Sequence, residues 1–181
     1  MTVVESRLDK QFRLLEEKRK KLMRVIQTIP EEKYFTQPPS GGWSVAQAAN
    51  HIFLSENLSL SYLKKKLSYP DTVPPFNIRS WGGVLLIKFV FLASFKTKAP
   101  KAINMREEQV ILAQDDLEQK WSTFRADLIS FVKQQEPAMG SRLAYKHPFA
   151  GRMTMYQMLI FMNDHMAHHM RQIDRIMKKV K

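Results

Sequence analysis

Apolar side chains recur along most of this chain at intervals of three and four, the spacing of one face of a helix. The first such run covers about residues 6–28. It places Leu8, Phe12, Leu15, Leu22 and Ile26 on one stripe and Arg or Lys on the others. It stops at Ile29-Pro30, because the residue before proline is pushed out of the helical region. A loop rich in proline and glycine follows, Gln37 to Gly42. A second helix opens at Ser44-Val45-Ala46-Gln47, a capping-box pattern, and continues to about Leu67. A third is expected after Asn104, with Glu107 and Glu108 in its first turn, ending near Gln135 before Pro137. The last opens at Thr154-Met155-Tyr156-Gln157, another capping box, and runs nearly to Lys181. No window alternates convincingly enough to read as a strand.

These four helices, with no repeat of fixed period, predict one all-α domain over 1–181, a four-helix bundle. The connector between helices two and three, about 68–104, contains Pro70, Pro74, Pro75 and Pro100. It is long enough to travel the length of a bundle, so helices two and three can lie parallel. Within it, Trp81–Phe95 is the most apolar stretch, interrupted by Lys88. It is shorter than the roughly 20 residues a spanning helix needs. We expect a connecting helix packed on the core or at a homodimer contact. The alternative is a segment dipping into a bilayer, with Lys96, Lys98 and Lys101 at the headgroups.

Composition narrows the chemistry. The 181 residues include 29 Lys+Arg against 17 Asp+Glu, a net charge of +12, which favours anionic partners. There is no cysteine, which excludes disulfides, zinc–thiolate clusters, iron–sulfur clusters and cysteine nucleophiles together. Any metal site must use histidine, carboxylate and water. The polar N-terminus carries no signal-peptide core, so a cytoplasmic location is expected.

Three of the five histidines fall in the last helical pattern, at 165, 168 and 169. At about 100° per residue, His165 and His169 lie within about 40° of each other on the stripe carrying Met158, Met162 and Ile176. His168 points to the flank. A buried i, i+4 histidine pair needs partners, which either core hydrogen bonds or a divalent metal would supply. Position 166 is methionine, so this is not the H-E-x-x-H arrangement. His51, on the inward face of helix two, is either a satisfied core histidine or the third member of a three-histidine set. Gln47, Asn50, Ser55 and Gln172 are candidates to orient the imidazoles, and His147 sits in a loop feeding the last helix. Trp43, Tyr62 and Trp81 read as packing aromatics, and Asp164 as a surface residue.

The stretch Gly42-Trp43-Ser44-Val45-Ala46-Gln47-Ala48-Ala49-Asn50-His51 resembles the start of helix two in the DinB-like (YfiT-like) superfamily of metal-dependent enzymes. His147-Pro148-Phe149-Ala150-Gly151-Arg152-Met153-Thr154, followed by His165, His169, Gln172 and Ile173, is similar to its C-terminal signature. The resemblance implies an up-down-down-up bundle and a divalent ion, usually zinc or nickel, held by His51, His165 and His169. Relatives of this kind include thiol-dependent transferases and isomerases, and the leading expectation is a metal-dependent hydrolase or transferase whose ion activates water or an external low-molecular-weight thiol. The resemblance leaves the catalytic residues unassigned. The expected partners are a small anionic substrate and a second copy in a homodimer, with neither nucleic acid nor membrane. Two other readings use the same residues: a bundle that binds metal or an apolar ligand without turnover, and a basic module for nucleic acid or anionic surfaces. Against the last, the basic residues are spread over several elements without a recognised nucleic-acid motif.

Overall fold

Two capping boxes fix where the main helices begin. A computed structural model of the chain describes residues 5–92 and 110–180. In chain order these form α1 (Arg7–Ile26), α2 (Glu31–Phe35), α3 (Val45–Leu67), a 3-10 turn (Pro70–Thr72), α4 (Ser80–Leu92), α5 (Gln114–Met139), a hairpin of β1 (Tyr145–His147) and β2 (Gly151–Met153), and α6 (Met155–Met177). At the head of α3, Ser44 accepts from the Gln47 N–H while Gln47 accepts from the Ser44 N–H. Thr154 and Gln157 repeat this arrangement at α6. Each box satisfies two amides that a helix start leaves without partners. Gln157 also donates to the Ser80 hydroxyl at 2.9 Å, pinning the first residue of α4 to the first turn of α6.

The four long helices enclose a core in which Leu15, Ile26, Ile52, Leu63, Trp121 and Leu128 are fully buried. The chain is predominantly helical, as the sequence pattern predicts. Ion pairs between α1 and α5 run in opposite chain directions: Asp9 with Lys133, Glu16 with Arg125, Arg19 with Glu118. Contacts from α3 into α5 and the segment before it run in the same direction: Asn50 with Leu112, Glu56 with Trp121 and Arg125, Lys64 with Asp127.

A charged cluster lies inside this frame. Glu56 is 1% exposed and accepts from Trp121 Nε1 and Arg125 Nη2, each at 2.8 Å. Arg19, equally buried, pairs with Glu16 and Glu118. These pairs join α1, α3 and α5.

The structure corrects the sequence reading at four places. Residues 31–35, for which no element was expected, form the one-turn helix α2, whose Tyr34 is buried. The third long helix starts at Gln114 rather than soon after 104. Glu107 and Glu108 lie outside the described residues, and Asp115 and Asp116 supply the acidic first turn instead. Before it, Asn50 clamps Leu112 in both directions, accepting from its N–H at 3.0 Å and donating to its carbonyl at 3.2 Å. That clamp removes Leu112 from any helical ladder. Pro137 does not end α5, which continues to Met139. In the last turn a proline forfeits a single ladder bond rather than breaking a helix in two.

The fourth correction is the hairpin, where no strand was expected. Its strands are three residues each, too short for alternation to register, although Tyr145, His147 and Met153 are buried and Lys146 and Arg152 exposed. Lys146 pairs directly with Arg152, a like-charge neighbour that weakens the hairpin on its own. Docking on α4 compensates: Ala150 at the turn lies so close to Gly83 that a Cβ there would collide with the Ala150 carbonyl. Gly151, with φ 75°, takes the left-handed conformation that reverses the chain. The apolar connector therefore does contain a helix that packs on the core, although 93–95 and the lysines at 96, 98 and 101 lie outside the described residues.

Replacing Glu56 by alanine leaves the Arg125 charge buried without its main acceptor. Such a change costs about 3–5 kcal/mol. Chemical denaturation should read a loss of that size, whereas removing the exposed Glu5–Arg13 pair should hardly move the midpoint.

Candidate metal centre

The three inward histidines meet. His51 comes from the second turn of α3, and His165 and His169 come from successive turns of α6, the side chains that i, i+4 spacing puts on one face. They are 2%, 6% and 7% exposed, so water reaches none of them freely. His165 Nε2 lies 3.3 Å from His51 Nε2 and 3.0 Å from His169 Nε2. One ligand atom from each residue falls within 4.8 Å of the other two, the arrangement of a group able to hold a metal ion.

The proton inventory shows why. His169 Nδ1 donates to Gln172 Oε1 at 2.7 Å, which leaves its Nε2 as a bare lone pair turned inward. Burial pushes the His169 pKa down to about 3, and burial with the neighbouring imidazoles pushes that of His165 well below the usual value. The rings of His165 and His169 are therefore neutral. Then either one proton on His165 Nε2 is shared between two acceptors, or lone pairs oppose each other at 3.0–3.3 Å. A divalent cation removes this mismatch. Zinc–nitrogen bonds of about 2.0–2.1 Å in a tetrahedron put nitrogen atoms about 3.3 Å apart, close to the two distances from His165, and the third pair lies within 4.8 Å.

Aromatic rings wall the cluster. Trp43, just before the α3 cap, lies 4.8 Å from the His51 ring and 6.1 Å from that of His169, centroid to centroid. Phe161, one turn before His165, stacks on it at 5.5 Å, and Phe91 of α4 covers it at 5.6 Å. Sequence reasoning gave Trp43 only a packing role and did not single out Phe91 or Phe161. The i−4 position of Phe161 relative to His165 was a usable signal; the contact of Phe91 depends on tertiary packing alone.

The supporting candidates divide. Gln172 orients His169 as anticipated. Asn50 is engaged in the Leu112 clamp, and the Gln47 side-chain oxygen serves in the α3 capping box. Ser55 is buried on α3. Asp164 is half-buried rather than a surface residue, and burial raises its pKa. His168 points away from the cluster, as its angle on the helix requires. Its Nδ1 donates to the Phe91 carbonyl at 3.3 Å, and Arg171 donates to the same oxygen at 3.1 Å. Together they close the C-terminal end of α4. His147 packs its ring against Phe161 at 4.5 Å, so it and His165 flank one phenyl group. Its Nδ1 accepts from the N–H groups of both Phe149 and Ala150 at 3.2 Å, which places its proton on Nε2.

A helical protein with a buried three-histidine group at the meeting of two long helices is a small and recognisable class. The family model of the DinB superfamily matches residues 14–173, and the chain belongs to that superfamily. No curated protein and no solved structure matches it.

Burial alone pushes the His147 pKa down from 6.5 to about 4. The unfolded chain takes up this proton near pH 6.5, whereas the folded chain resists it until about 4. Its contribution to stability is therefore full above about 6.5 and is lost as the pH falls toward 4, by up to about 3 kcal/mol. His165 and His169 act with the same sign. Thermal denaturation of metal-free protein should show the midpoint falling over this range, and H147N, whose amide oxygen can still accept the two N–H groups, should flatten the slope. An unchanged slope in H147N would show that His147 titrates normally.

Proposed function

We propose that the protein is a metal-dependent enzyme in which His51, His165 and His169 hold a divalent cation, zinc or nickel, for hydrolysis or for transfer of an external low-molecular-weight thiol. The observation that carries this reading is the convergence of three buried imidazoles whose nitrogen atoms lie close enough to share one ion. A cation bound there lowers the pKa of water or a thiol and so supplies an anionic nucleophile near neutral pH.

The chain's own residues do the rest. Gln172 fixes the His169 ring and its tautomer; losing a partner of this kind typically costs roughly 10–100-fold in affinity. Trp43, Phe91 and Phe161 exclude bulk water, which strengthens every electrostatic interaction inside. Across Phe161, His147 offers a neutral Nε2–H, a donor that could meet an anionic substrate group. The net charge of +12 draws small anions toward the protein. Helix order in this reading is up-down-down-up. The opposed run of pairs between α1 and α5, the matched run between α3 and α5, and the crossover that joins α3 to α5 support it.

A second reading, metal binding without turnover, is favoured by one observation: the imidazoles are almost wholly covered. The two readings share the site and differ in whether a substrate reaches it.

Elemental analysis of protein purified without a histidine tag tests the site. H51A, H165A and H169A should each lower metal affinity by more than the roughly 10–100-fold expected for Q172L, and H168A should have little effect. Parental metal content in all of these variants would make the histidines structural. For metal-loaded protein, thiol-dependent consumption of small electrophiles, absent in H169A, would support the enzyme. Stoichiometric metal with no turnover of water- or thiol-acceptor substrates would support the second reading.

A further inference from the structure

We infer that the outer face of α4 is a docking surface for an anionic lipid bilayer. The inference is independent of the metal reading. It reverses the expectation that membranes are not partners.

The helix is apolar on two sides, and among the described residues α6 and the hairpin bury one of them. Val84, Ile87 and Phe91 turn inward onto α6 and the hairpin. The opposite arc, roughly 160° wide, carries Leu85, Leu86, Lys88, Phe89 and Leu92. Leu85 is 63% exposed and Leu92 77%. Ile78, in the turn that enters α4, is 71% exposed, and Phe149, beside the hairpin turn that abuts Gly83, is 66% exposed. Large apolar side chains exposed elsewhere, such as Phe35 and Leu58, are scattered. Isolated ones are ordinary, whereas a contiguous patch marks a surface that something covers.

Charge selects the occupant. Arg79 and Lys88 lie on this surface, Lys146 and Arg152 project from the adjoining hairpin, and Arg171 reaches the end of α4. Neither 76–92 nor 145–153 contains an acidic residue. Asp164 of α6 is half-buried and faces Lys88, Lys18 and Arg171. Pairing this face with a second copy would bring two sets of cations together. Nucleic acid would meet the cations but strand the leucines. An anionic bilayer meets both, with the leucines at the headgroup–acyl boundary and the cations at the phosphates. The helix is 13 residues long, which suits lying in the interface, and no described helix is long and apolar enough to cross a membrane.

Co-sedimentation of the full chain with vesicles of phosphatidylglycerol and phosphatidylcholine, against phosphatidylcholine alone, tests the proposal. The parent should bind the anionic vesicles at least about tenfold more tightly, and more weakly as salt rises. L85Q/L86Q/L92Q should lose about tenfold or more on anionic vesicles, and R79Q/K88Q should reduce the preference for anionic lipid. All five positions are exposed, four on α4 and Arg79 in the turn before it, so circular dichroism should confirm that both variants keep the parental fold. Equal binding to the two vesicle types, or anionic binding unchanged by the triple substitution, would overturn the proposal. So would light scattering showing a dimer that the triple substitution dissociates, with no vesicle binding by the parent. That result would assign the face to a second copy.

Discussion

Three imidazole nitrogens facing one another in a place without water are the constraint around which this bundle is organised. Neutral histidine can be buried, but its lone pairs must be answered, and here the His165 Nε2 lies against the Nε2 atoms of both other rings. The arrangement is tolerable only if α3 and α6 hold their register closely. A slip of one residue on either helix would turn a histidine by about 100° out of the cluster. The capping boxes set that register from the start of each helix, and the Gln172 carbonyl fixes which nitrogen of His169 faces inward. The Glu56–Trp121–Arg125 pairing then ties α3 to α5, so that the helix bearing His51 is held on both sides.

Much of this was legible because it repeats at helical period. The stripe of methionines and isoleucines on α6 predicts which of three neighbouring histidines point inward, and the structure agrees for all three. The cap sequences at Ser44 and Thr154 mark their helices to the residue. What the sequence did not disclose depends on partners far away in the chain. Asn50 reads as a polar residue one position from His51, yet its amide is spent on Leu112, 62 positions on. The hairpin has too few residues per strand to show alternation, and its cross-strand pair of Lys146 and Arg152 argues against pairing. Its docking explains its survival: Tyr145 bonds Ser59 of α3, His147 packs on Phe161 of α6, and Ala150 closes on Gly83 of α4. Likewise, nothing local says that Phe91 rather than Phe89 will cover His165; the sidedness of a helix apolar all round is decided by what it docks against.

That sidedness links the site to the surface. The walls of the histidine cluster are unequal in how firmly they are held. Trp43 and Phe161 belong to the same segments that carry the histidines, so moving either disturbs the cluster itself. Phe91 belongs to α4, which is tethered to α6 by polar groups at its two ends: the Ser80 hydroxyl to Gln157, and the Phe91 carbonyl to His168 and Arg171. Between these ends the helix is held by apolar contact and by the Gly83–Ala150 approach. Phe91 thus covers His165 from a helix that carries no histidine, whereas Trp43 and Phe161 cover the cluster from the segments that do. His168 acquires a role on this account that its position beside two inward histidines conceals. It contributes no nitrogen to the cluster, yet it holds one end of the wall that α4 supplies.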